Sequence, residues 1–197
     1  MSAISPPIAR LFGFIGGSAG TWIVDSMHCS IGEPISTASR LSIVSGPAEQ
    51  PLPGASWLLR GITSNERYVV REEKVALVNI QEGLGREAST RAALIPIRKN
   101  AAWWALPQDE RREVFEAQSR HIAIGLKYLP AVARRLHHCR DLGPDEPFDF
   151  LTWFEYAPSD SSAFEALVQA LRASPEWEYV DRDIDIRLTR AGLPIKR

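Results

Sequence analysis

Residues 132–156 read VARRLHHCRDLGPDEPFDFLTWFEY, and the fold is decided by how this stretch pairs with itself. Val132–Cys139 has the character of a strand, and Phe148–Tyr156 that of a second, strongly aromatic one. Asp141-Leu142-Gly143-Pro144-Asp145 supplies turn residues between them, so the two predict a hairpin. Upstream, Gln108–Lys127 reads as one long amphipathic helix, with Pro107 near its first turn, acidic Asp109 and Glu110 at its start, and Pro130 beyond its end. Ala92–Arg98, before that helix, is an apolar β-leaning run. Downstream, Ser162–Ala173 gathers Ala163, Phe164, Leu167 and Leu171 on one helical face. Trp177–Leu188 then alternates: Val180, Ile184, Ile186 and Leu188 stand against Asp181, Asp183, Asp185 and Arg187, with Arg182 the one polar residue on the apolar side.

The resulting order is β-α-β-β-α-β, which is the ferredoxin-like unit of the α+β class. The first half is rich in Gly, Ser and Pro. Arg10–Ile15 and Thr21–Cys29 flank Gly16-Gly17-Ser18-Ala19-Gly20 and predict a hairpin; Leu41–Ser45 and Trp57–Thr63 predict further strands; Val70–Gln81 has helical periodicity. These elements describe a shortened ferredoxin-like amino-terminal module over residues 1–88 and a complete module over residues 89–197, joined near Gly83–Thr90. Two such sheets side by side hide their edges by closing into a barrel, here a dimeric α+β barrel.

Composition narrows the function. Lys and Arg total 23 against 24 Asp and Glu, a net charge of −1, which gives no footprint for nucleic acid or for an anionic membrane surface. No run of about 18 apolar residues exists to span a bilayer. Two cysteines, Cys29 and Cys139, make no disulfide framework, and reduced thiols are expected. Pro6, Pro7 and Arg10 interrupt the amino-terminal apolar patch, so no signal peptide is read and a cytoplasmic protein is expected. The absence of Cys-x-x-Cys-His excludes covalent c-type haem. Six tryptophans suit a pocket for a bulky planar ligand.

Two side chains stand out. His121 falls on a largely apolar helical stripe with Val114, Ala117, Ile124 and Gly125. It reads either as a core histidine with one backbone hydrogen bond or as a metal ligand. Zinc needs three or four protein ligands, and neighbouring strand residues such as His137, His138 and Cys139 chelate one ion poorly; haem iron needs one ligand from the chain. Gly125, one turn on, leaves room for a flat group. Arg134 shares a strand face with Val132 and Leu136, read as the interior face. A guanidinium there needs an anion, either in a structural salt bridge or as a clamp on an anionic substrate.

With these elements in place, the chain resembles the chlorite dismutase family, in its short, dimeric type. The resemblance covers roughly residues 56–188. It is carried by Ile97-Arg98-Lys99, Trp103-Trp104, His121, Arg134, the segment from Phe148 to Glu155, and Glu176. It implies haem b held by His121, with Glu176 as carboxylate partner of that ligand and Arg134 as the distal arginine. Lys99 and Trp103 would line the haem pocket, and Asn65 and Tyr68 would reach the propionates. The activity implied is conversion of chlorite to chloride and molecular oxygen, the O–O bond forming between a ferryl oxygen and hypochlorite held by the arginine. A related haem peroxidase, a coproheme decarboxylase and a non-enzymatic haem-binding protein are the alternatives. The partners implied are chlorite and a second copy of the chain in a homodimer, with no nucleic acid and no membrane.

Overall fold

The computed structural model describes residues 10–47, 53–63, 70–72, 75 and 83–192. Its strands are β1 (Leu11–Gly17), β2 (Trp22–Ile31), β3 (Arg40–Ser45), β4 (Ala55–Thr63), β5 (Arg91–Lys99), β6 (Ala133–His138), β7 (Phe150–Tyr156) and β8 (Val180–Arg190). They close an antiparallel barrel in the order β1-β3-β2-β8-β5-β7-β6-β4. Between β5 and β6 lie α1 (Ala101–Ala105), α2 (Gln108–Arg112), a π-helical segment (Glu113–Gln118) and α3 (His121–Lys127). Between β7 and β8 lie α4 (Ser161–Arg172) and a short 3-10 turn (Pro175–Tyr179).

The hairpin expected at residues 132–156 forms, with Arg134 opposite Phe154 and His138 opposite Phe150. Both faces of β7 are buried, because alternate residues face different cores. Leu151 and Trp153 join Phe14, Trp22, Leu41, Leu59, Leu94, Ile184, Ile186 and Leu188 inside the barrel. Phe154 and Tyr156 turn outward and meet Phe164, Leu167, Val168 and Leu171 of α4. Each of those four helical side chains stabilises the packing by about 1.5–3 kcal/mol on burial. The periodic stripe read along residues 162–173 therefore docks this helix onto the outer face of the sheet.

Two expectations need correction. β1 and β2 are strands but not a hairpin: β1 pairs with β3 and β4, while β2 pairs with β3 and β8. The glycine-rich turn reverses the chain, and β3 inserts between the two strands, held by Ser39 N–H to Gly17 O at 3.0 Å and Val24 N–H to Ser39 O at 3.0 Å. The alternation expected in β8 places Asp183, fully buried, and Asp185, 5% exposed, under the carboxyl-terminal end of α4, where Arg172 pairs with them. The long helix over 108–127 is broken. A π-helical segment is followed by Arg120 at φ 52°, in the left-handed region, and a new helix starts at His121. The periodicity expected across Val70–Gln81 falls almost wholly outside the described residues.

Candidate active site

The break before His121 builds the site. Restarting the helix there makes His121 the first residue of α3, and it turns the imidazole towards the 3-10 turn that carries Glu176. His121 Nδ1 and Glu176 Oε2 are 2.7 Å apart. A carboxylate only accepts, so Nδ1 carries the hydrogen, and in the neutral ring Nε2 is left with its lone pair. Phe115 stacks on the ring at 4.3 Å between centroids. The other carboxylate oxygen, Oε1, accepts from Lys99 Nζ at 2.8 Å, and the same ammonium donates to Glu176 O at 3.1 Å. Ser119 Oγ accepts the Glu176 N–H at 2.8 Å. Lys99 lies 4.6 Å from the centroid of the buried Trp103 ring.

The electrostatics follow from this chain of contacts. Burial opposes the charged form of Glu176, but His121 and then Lys99 more than offset it and hold the carboxyl at about 2. The glutamate is therefore an anion throughout the physiological range. Lys99 is placed by a second carboxylate: Asp149 Oδ2 accepts its backbone N–H at 2.7 Å and the Trp104 indole N–H at 3.3 Å.

Arg134 meets α3 from the side of the sheet. In register with Phe154, it projects from the helix-covered face of the sheet. Its guanidinium lies against Gly125, one turn beyond His121, and a Cβ there would collide with it. Burial pulls its pKa down, and the negative charge of Glu116 opposes that pull. Glu116 also accepts the Ile122 N–H at 2.7 Å, capping the start of α3. One glutamate thus secures the helix that carries the imidazole and faces the arginine opposite.

The structure brings His121, Glu176, Lys99 and Trp103 together by direct contacts and sets Arg134 against Gly125, one turn on from His121. Asn65 and Tyr68 lie outside the described residues. Sequence reasoning missed Glu116, Ser119 and Asp149. Glu116 is five residues before His121, off its face in a continuous helix, so periodicity carries no signal for it; only the helix break brings it into play. The reading of β6 also needs a correction. Arg135 and His137 do not lie on an outer face but line the barrel interior with Trp153 and Leu151.

The residues fit a haem. One imidazole nitrogen is fixed by a buried carboxylate and the other, in the neutral ring, carries a lone pair suited to iron; Gly125 has no Cβ beside it, and the Arg134 guanidinium packs against that glycine. Fold and site together define an α+β barrel with an imidazole and a guanidinium on the helix-covered side of its sheet. A family model described as chlorite dismutase matches residues 56–191, and the chain belongs to that family. A dimeric chlorite dismutase from Nitrobacter winogradskyi is 56% identical, with a TM-score of 0.84 over 91% of this chain and 99% of that one. A chlorite dismutase from Candidatus Nitrospira defluvii, in complex with imidazole, shares the fold at 19% identity and a TM-score of 0.64, covering 92% of each chain. A chlorite dismutase from Ideonella dechloratans is 32% identical over 123 residues, 61% of this chain. The match spans only 40% of that curated relative's length.

Proposed function

We propose that the chain is a haem b enzyme that converts chlorite to chloride and molecular oxygen. The observation that carries this reading is the line Lys99–Glu176–His121, in which a buried carboxylate holds Nδ1 and leaves Nε2 uncommitted, with Arg134 against Gly125 one turn on. When bound, haem supplies a redox-active iron able to take an oxygen atom from chlorite and give it back. The protein's part is binding, orientation and charge. Glu176 fixes the His121 tautomer and raises the basicity of Nε2, which would hold the iron. Lys99 keeps Glu176 ionised. Arg134 draws a small anion into the site and pairs with it. It then retains hypochlorite, a diffusible oxidant, beside the oxygen atom with which it recombines. One chlorite gives one chloride and one dioxygen, so no external reductant is needed.

The fold reading extends in the same way. Within each half of the barrel the strands run fourth, first, third, second: β4-β1-β3-β2 and β8-β5-β7-β6. This supports two ferredoxin-like modules, 1–88 and 89–197, the first without helices between its described strands. A homodimer is proposed on the likeness to the dimeric Nitrobacter protein; light scattering tests it. Among the described residues no helix is long and apolar enough to cross a membrane.

The deciding experiment is oxygen evolution from chlorite by the haem-loaded protein, with His121→Ala alongside. Wild type should release dioxygen at one per chlorite, and the variant should lose its haem absorption band. A haem-loaded protein that leaves chlorite untouched would overturn the activity. Full haem occupancy in the variant would overturn the ligand.

A further inference from the structure

Phe115 and His121 touch, although a regular helix would hold them apart. In an unbroken α-helix, residues six apart lie on different faces, with about 9 Å between them along the axis. Here the two rings stack, with 4.3 Å between centroids and 21° between planes.

Two irregularities make this contact. The segment Glu113–Gln118 is π-helical, and the Ser119 N–H reaches back five residues to Val114 O at 3.1 Å. Arg120 then takes the left-handed conformation at φ 52°, and α3 starts afresh at His121. A π-helical turn is rare and recurs at functional sites. Left-handed backbone at an arginine is costly and persists only where surrounding contacts hold it. One such contact lies just past the break, where Glu116 Oε2 accepts the Ile122 N–H at 2.7 Å. Phe115 is half-buried and belongs to none of the hydrophobic core clusters, so core packing does not account for its place.

The carboxylate behind His121 leaves a freedom that this ring can remove. Glu176 Oε2, 2.7 Å from Nδ1, decides which nitrogen carries the hydrogen. It restrains the ring plane less firmly, because hydrogen bonds accept a broad range of approach at an sp² oxygen. The outer torsion of a histidine is itself broad. A stacked neighbour narrows that spread: turning the imidazole out of its plane gives up contact with the face of Phe115.

We propose that Phe115 is a positioning residue that sets the plane of the His121 imidazole, and with it the rotation of that ring about a bond from Nε2 to iron. Glu176 fixes the tautomer and Phe115 fixes the angle. The angle matters because imidazole π orbitals overlap the iron d orbitals unequally in different directions across the porphyrin. This role rests on the reading of His121 as the haem ligand.

Proton NMR of the ferric, haem-loaded protein with cyanide bound tests the proposal. Cyanide is axially symmetric, so the spread of the haem methyl shifts reports the plane of the histidine ring. Phe115→Leu should keep its haem and change that spread. Phe115→Tyr, which puts a flat ring back, should return the wild-type pattern. Should Phe115→Leu fail to fold, Phe115→Met is read in its place. A wild-type methyl pattern in the leucine or methionine variant would overturn the positioning role. A tyrosine variant whose pattern matches leucine rather than wild type would overturn it as well. His121→Ala keeps the two readings apart: if it retains haem, the ligand assignment fails. If it loses haem while Phe115→Leu leaves the methyl shifts unmoved, only the positioning role fails.

Discussion

Two buried carboxylate clusters flank α4, and they differ in how they end. Under its carboxyl-terminal turn, Arg172 forks onto both oxygens of Asp183 at 2.8 and 2.9 Å and reaches Asp185 at 3.0 Å. Arg187 closes the other side of Asp185 and continues to Glu165. Every carboxylate oxygen of the two aspartates meets a guanidinium, and the network closes on itself. In the 3-10 turn before β8, Glu176 is as well buried and as well partnered, but one of its donors is an imidazole whose second nitrogen faces no acceptor or donor of the cluster. A closed network can only hold elements together. An open one passes the pull of a buried anion to an atom that can bind something.

Four outcomes test that distinction, the largest first. Arg172→Met leaves Asp183 and Asp185 buried without their fork, and it should lower unfolding stability by about 3–5 kcal/mol. Denaturant titration reads this loss, and the haem spectrum should stay as in wild type. A spectral change would mean that the closed cluster also serves the site.

Glu176→Gln keeps the volume but removes the charge beside Lys99 and behind His121. About 1.5–3 kcal/mol of stability should go with the charge-assisted hydrogen bonds. Unlike the Arg172 variant, it should also raise the iron reduction potential, because the imidazole becomes a poorer donor. Potentiometry that finds no shift would make Glu176 a structural residue of the same kind as Asp183.

Acid separates the two clusters further. Glu176 is held at about 2 against an ordinary 4.5, so the folded state releases this proton more readily than the unfolded chain does. Its stabilising effect is complete above pH 4.5 and is lost as the pH falls from there through 2. Denaturation midpoints measured across this range should fall more steeply for wild type than for Glu176→Gln. Parallel slopes would contradict the pairing.

The smallest effect on the fold is expected for Arg134→Ala, which removes a buried cation and leaves Glu116 still capping α3. Haem should be retained, while bleaching per turnover rises and a chlorine trap detects escaping hypochlorite. Unchanged bleaching with an empty trap would defeat the retaining role of the arginine.

Legibility in the sequence followed locality. The β6–β7 hairpin, the docked stripe of α4 and the strands of both halves could be read because each rests on alternation, on 3.6-residue spacing or on turn residues within one short segment. The partner of β1 could not be read: a glycine-rich turn says that the chain reverses, not which strand will lie beside it. The break at Arg120 was equally hidden. It goes with two contacts, Glu116 to the Ile122 N–H and Glu176 to His121, and those two glutamates are 60 residues apart in sequence. Arg135 and His137 were misplaced for a related reason. Alternation separates two faces of a strand, but here the barrel core covers one and the helices the other.

The sequence by itself determined the α+β class and the set of side chains, His121, Arg134, Glu176 and Lys99, that the chlorite dismutase pattern carries. Only the tertiary structure decided where those side chains meet: that Lys99 and His121 share one carboxylate, that Arg134 lies against Gly125, and that its neighbour in the chain faces a separate cavity. Periodicity is a property of one element, whereas the pairing of buried charges is settled by whichever elements the barrel brings within hydrogen-bonding reach.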